Sequence, residues 1–132
     1  MATATFHCDV VTPERAIVDC EARFVALPAW DGEIGILRNR APLVVRLGIG
    51  ELRLETAEGT ERYFIDGGFA EMAGNKLTIL TAQAQRPEDL DGTAAKRELE
   101  TAAMMKAEDD IAFVARQEAL ERARAQIKMA RD

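Results

Sequence analysis

An all-β body followed by two helices is the architecture the sequence predicts, and three observations predict it. Eight of the nine glycines precede residue 86. Over the same stretch short apolar runs recur at intervals of about eight to twelve residues, the rhythm of a sandwich or barrel. From Thr93 to Asp132 there is neither Gly nor Pro, and Ala, Glu, Lys and Arg, all strong helix formers, dominate. The boundary divides a β domain over residues 1–86 from a helical domain over residues 87–132. Pro87 and Gly92 punctuate the junction.

Strands are predicted at residues 6–11, 16–21, 24–28, 34–37, 43–49, 51–56, 62–66, 69–73 and 76–81. The cleanest is Glu51-Leu52-Arg53-Leu54-Glu55, whose alternation puts one face in water and one in the core. Ala57-Glu58-Gly59-Thr60 and Ala73-Gly74-Asn75-Lys76 read as tight hairpin turns, because Gly and Asn tolerate positive φ. Asp66-Gly67-Gly68 reads as a bulge or corner, with an anion cradle as the alternative.

In the helical part, Glu108-Asp109-Asp110 divides two helices and suits the positive N-terminal end of the second. Arg122, Arg124, Lys128 and Arg131 lie toward its other end. Phe113, Leu120 and Ile127 recur every seven residues beside Ala123 and Ala130, a narrow apolar seam. Leu99, Ala102, Ala103 and Met105 offer the first helix's matching seam, so a helical hairpin is expected. A seam so rich in alanine buries little apolar area, which makes the hairpin a candidate mobile element.

With 132 residues, 48% hydrophobic and 30% charged, the chain has the make-up of an ordinary globular protein. A net charge of −6 argues against a general nucleic-acid binder. No run approaches the roughly 20 apolar residues of a membrane span. The start, MATATFHCDVV, lacks a basic region and a long apolar run, so a cytoplasmic location is expected. Membrane association is then expected only through partners. Cys8 and Cys20 lie in strand-like runs and are expected to be reduced core residues. One histidine, His7, and no spaced Cys/His cluster predict no structural zinc and no cofactor. His7 and Cys8 are neighbours on a strand and point to opposite faces, which disfavours a nucleophile pair. No GxSxG, GxxxxGK[ST] or HExxH occurs. A binding or coupling role is favoured over catalysis.

The stretch LPAWDGEIGILRNRAPLV, residues 27–44, holds the one Trp, an acidic turn and two arginines. Trp30-Asp31-Gly32-Glu33 fits either an ordinary surface turn or a contact tip that presents Asp31 and Glu33. The second helix carries Arg116, Arg122, Arg124, Lys128 and Arg131 against Glu118 and Glu121, so it is locally basic. A solvated face and a docking face for an acidic partner helix are both open.

Three segments carry a family resemblance: FHCDVVTPE at 6–14, WDGEIGILRNRAPLV at 30–44, and DGGFAEMAGNKLTILT at 66–81. The chain resembles the epsilon subunit of the F-type ATP synthase, the counterpart of the mitochondrial delta subunit. The resemblance implies an antiparallel ten-strand β-sandwich followed by an antiparallel two-helix hairpin. It implies a non-catalytic central-stalk subunit that couples c-ring rotation, through gamma, to ATP synthesis. It also implies a peripheral place at the cytoplasmic face of a bacterial inner membrane, with gamma and the c-ring as partners. In many members the hairpin extends toward the alpha and beta subunits and blocks ATP hydrolysis. Residue by residue, Asp31, Gly32, Glu33 and Arg40 are carried onto the c-ring-facing loop, with Arg40 standing where the family usually has histidine. Arg116, Arg122, Arg124 and Lys128 are the possible inhibitory contacts. The ATP-binding pattern of some members, [IL]-D-x-x-R-A, is here Leu90-Asp91-Gly92-Thr93-Ala94-Ala95, with Ala94 in place of the arginine. Weak or absent ATP binding is expected. A small β-sandwich ligand-binding or ATP-sensing module with a helical tail is the alternative, and it predicts a deep apolar pocket.

Overall fold

The computed structural model describes residues 4–131, leaving Met1, Ala2 and Thr3 of the stretch read for a leader, and Asp132, outside the described residues. The strands are β1 (Phe6–Val11), β2 (Ala16–Ala22), β3 (Phe24–Ala29), β4 (Gly32–Ile36), β5 (Leu43–Thr56), β6 (Gly59–Ala73), β7 (Lys76–Leu80) and β8 (Ala84–Gln85). A short 3-10 turn at Pro87–Asp89 leads to α1 (Gly92–Ala103) and α2 (Asp110–Arg131). No described helix is long and apolar enough to cross a membrane.

The described sheet has eight strands, in the order β2-β1-β7-β6-β5-β3-β4 with β8 beside β6. This corrects the expected ten-strand, wholly antiparallel sandwich. Residues 43–49 and 51–56 join into β5, and residues 62–66 and 69–73 join into β6, pairing from Leu43↔Met72 to Thr56↔Gly59. Gly50 and Gly67-Gly68 separate the predicted strands, yet the ladder runs on past them. β5 and β6 thereby run through both layers of the sandwich. Their 43–47 and 69–73 ends share a layer with β7, β1 and β2, and their other ends share one with β3, β4 and β8. β1 and β7 pair in parallel, from His7↔Lys76 to Val11↔Leu80.

Gly68 is the tightest point of this corner. Its φ is +111°, and a Cβ there would fall inside van der Waals contact of the Leu80 carbonyl oxygen. The two predicted turns form as read: Gly74 and Asn75 have φ of 57° and 59°, and Gly59 follows the two-residue turn after Thr56. Phe6, Leu27, Leu52, Leu54, Ile65 and Ile79 are fully buried between the layers, while Phe64 is fully buried on the opposite face of β6, beside Glu51. Cys8 and Cys20 are free thiols directly opposite one another on β1 and β2, and burial pushes both thiols' pKa up.

Both helices are capped by the acids their sequences supply. The Asp91 carboxylate accepts from the Ala94 amide at 3.0 Å, and the Asp109 carboxylate accepts from the Ala112 amide at 2.7 Å. α2 lies on β5 and β6, and α1 packs chiefly on α2.

Candidate functional site

Two features of the expected site depend on where β4 runs. β3 and β4 form a hairpin with Trp30 and Asp31 as its two-residue turn, Ala29 opposite Gly32. Asp31, Gly32 and Glu33 are all exposed at this tip, as the sequence suggests. The Trp30 amide donates to the Arg46 carbonyl at 2.9 Å, and the Arg46 guanidinium lies 5.3 Å from the Trp30 ring. The tip is thus tied to β5 while its indole stays 67% exposed.

Arg40 is exposed beyond the other end of β4. It follows a turn in which Asn39 has φ 67° and exchanges hydrogen bonds with Asn75, 2.7 Å and 3.1 Å long. Arg38 Nη1 donates to the Thr5 carbonyl at 2.9 Å. The acidic tip and Arg40, adjacent in the motif, are therefore separated by the length of a five-residue strand, roughly 15 Å. Sequence proximity suggested one loop; the intervening Gly-Glu-Ile-Gly-Ile pairs with β3 instead.

The second cluster is the dock between α2 and the body. Arg122 donates through Nε to Asp66 Oδ2 at 2.7 Å and through Nη2 to Oδ1 at 3.3 Å. The pair bridges 56 positions, is half-buried, and raises the Arg122 pKa further through the Asp66 carboxylate. Asp66 can reach out because Gly67 and Gly68 turn the chain at that corner. Arg116 donates to the Ala102 and Ala103 carbonyls at 3.3 Å and 3.4 Å, so it caps the open end of α1. Lys128 lies close enough to Glu51 to help lower its pKa, behind the larger effect of Arg62. Arg124 is exposed, and the Arg131 side chain lies outside the described residues. Sequence reasoning singled out the basic residues but missed Asp66 as their partner. A lone Asp before Gly-Gly carries no signal for an arginine 56 residues away.

The apolar seam is shorter than its seven-residue repeat suggests. Leu120, Ala123 and Met129 are buried on α2, and Ala95 and Ala102 on α1. Phe113 is 51% exposed, because α1 ends at Ala103 opposite Arg116 and offers nothing one turn further on. Ala103 and Met105, read as seam residues, are exposed for the same reason. Phe113 and Val114 instead line a surface cleft of about 510 Å³ with Trp30, Leu47 and Ile49. At the junction, Arg86 reaches Glu61 at 3.4 Å and stacks 5.4 Å from the Tyr63 ring, which pins the chain to β6 just before the helical part.

Fold and site together define a two-part protein: a filled β-sandwich with exposed turns, and a helical hairpin tied to it by polar contacts. Comparison with known proteins gives the family. This chain belongs to the ATP synthase delta/epsilon chain family, whose β-sandwich domain matches residues 5–87. It is 44% identical to the ATP synthase epsilon chain of Rhodopirellula baltica over 96% of this chain and 99% of that one. It is 34% identical to the sodium ion specific ATP synthase epsilon chain of Propionigenium modestum, over 96% and 94% of the two chains. The fold matches a chain in the cryo-EM structure of the Euglena gracilis mitochondrial ATP synthase, with a TM-score of 0.84 at 24% identity. That match covers 98% of this chain and 82% of the other.

Proposed function

We propose that this chain serves as the non-catalytic rotor subunit of a proton-transporting F-type ATP synthase, peripheral to the cytoplasmic face of its membrane. The sandwich binds gamma and rests on the c-ring, with Asp31, Gly32 and Glu33 presented at one end of β4 and Arg40 at the other. The helical hairpin has two postures: docked on the body, and extended along gamma toward the alpha and beta subunits, where it inhibits ATP hydrolysis.

The observation that carries the switch is the Asp66–Arg122 pair. The arginine expected to meet a partner is the one that holds the hairpin down. Arg116 is likewise engaged within the hairpin. Docking inside the chain and contact with an acidic partner therefore compete for the same basic groups, as a two-state element requires. The hinge falls between Arg86, pinned by Glu61 and Tyr63, and Asp91, the cap of α1. ATP sensing is not favoured: Ala94 supplies no phosphate partner, and the Asp91 carboxylate is spent on the Ala94 amide.

ATPase assay of the reconstituted complex, with and without residues 91–132, tests the switch. Faster hydrolysis on truncation is the expected result, and an unchanged rate overturns the inhibitory role. Absence of binding between the full chain and gamma overturns the rotor assignment itself.

A further inference from the structure

A second polar cluster lies on the outer face of the β1–β2 ribbon, away from the hairpin dock and from the β3–β4 tip. Its origin is the register. His7 stands opposite Glu21, and Asp9 stands opposite Asp19. Residues two apart share a face, so all four side chains form a block on one side, while Cys8 and Cys20 point to the other.

Within the block the imidazole is oriented by its own neighbours. His7 Nδ1 lies 2.9 Å from Glu21 Oε2, and Thr5 Oγ1 donates to Glu21 Oε1 at 3.4 Å. The ring nitrogen on the far side, Nε2, lies 3.0 Å from Asp9 Oδ1 and 2.8 Å from Asp19 Oδ1. These three ligand atoms come from two strands and lie within 4.8 Å of one another. The Lys76 ammonium reaches the other Asp9 oxygen, Oδ2, at 3.7 Å and leaves Oδ1 clear.

We propose that His7 Nε2, Asp9 Oδ1 and Asp19 Oδ1 form a binding site for a divalent transition metal of the zinc class. Both ring nitrogens face carboxylates before the ion binds, so the metal displaces the Nε2 proton held between Asp9 and Asp19, while Nδ1–H stays on Glu21, the carboxylate support usual behind a ligating histidine. A tetrahedral zinc with N and O ligands near 2.1 Å sets them roughly 3.3 Å apart, so the present spacing needs to open by a few tenths of an ångström. A fourth position faces solvent and is left for water. Three carboxylates surround the imidazole, and with Lys76 engaged on the far oxygen of Asp9 they still leave net negative charge for the ion. Residue spacing alone predicts no metal here, because the ligands are gathered by strand pairing across a turn and not by a local Cys/His pattern.

The test is zinc calorimetry on the full chain, joined to the absorption spectrum with cobalt in place of zinc. One equivalent should bind, with a cobalt spectrum of nitrogen and oxygen ligands and no thiolate charge-transfer band. His7→Gln and Asp19→Asn should each weaken binding at least tenfold. Glu21→Gln, which removes only the support, should weaken it roughly tenfold. Cys20→Ser should bind as the native chain does. Unchanged melting of Asp19→Asn, at a side chain 74% exposed, shows that the fold is intact. A cobalt–thiolate band lost in Cys20→Ser, or equal zinc binding by the native chain and His7→Gln, overturns the proposal.

Discussion

The body buries Phe6, Leu27, Leu52, Leu54 and Ile79 completely in its own core, whereas the hairpin buries Ala95, Ala102 and Ala123 with only Leu120 and Met129 as large residues. Each large core side chain contributes about 1.5–3 kcal/mol, and an alanine far less. The helices consequently depend more on polar ties: the Asp66–Arg122 pair, the Arg116 cap and the Asp91 and Asp109 caps. The two regions of one chain should therefore open separately, the hairpin at the lower free energy. Cohesion by a few directional bonds suits the two postures proposed above, since such bonds can be exchanged for equivalents on a partner.

The sharpest way to break the comparison is at the body's corner. Gly68→Ala forces a Cβ against the Leu80 carbonyl at a φ of +111°, and should cost about 3 kcal/mol or more. Denaturant unfolding of the sandwich should show it as a lower midpoint. Leu120→Ala should cost about 2 kcal/mol, felt only in the helices. Faster amide exchange in α1 and α2, with β5 and β6 unchanged, is the expected pattern. If β5 and β6 exchange faster too, the regions are one cooperative unit and the contrast fails.

Asp66→Asn should loosen the dock by about 1–2 kcal/mol without touching the core. In the reconstituted enzyme it should deepen inhibition of ATP hydrolysis, because the docked posture loses its tie; a hydrolysis rate equal to the native one would separate the pair from the switch. The smallest effect concerns Glu51, gripped by Arg62 through contacts of 2.9 Å and 2.8 Å. Arg62 holds the Glu51 carboxyl below the usual carboxylate range, with Lys128 adding a little. A lowered folded pKa gives stability that is fully present above the unfolded value, about 4.3, and lost as pH falls through the folded one. The stability gap between the native chain and Glu51→Gln should therefore shrink below pH about 4, by under ~1 kcal/mol for this partly exposed pair.

Much of the fold is legible in the residues. The succession of strands and then helices, the turns at Gly59 and Gly74-Asn75, and the acidic start of α2 at Asp109 are local, and local chemistry announces them. The long strands β5 and β6 are not legible, because Gly50, Gly67 and Gly68 resemble terminators unless the second layer that they serve is known. The parallel pairing of β1 with β7 joins segments some 70 residues apart and leaves no periodic mark. At the site, exposure of the 31–33 tip follows from its turn composition. The separation of Arg40 from that tip, and the Asp66–Arg122 tie, arise only when strand lengths and corners are fixed in space.

The course of β5 and β6 through both layers has a mechanical meaning. A twisting load applied to one face of the sandwich passes along two continuous backbones into the other face. Their shared ladder, from Leu43↔Met72 to Thr56↔Gly59, then bears it in shear, where many hydrogen bonds must yield together. A body stitched this way resists twist as one piece.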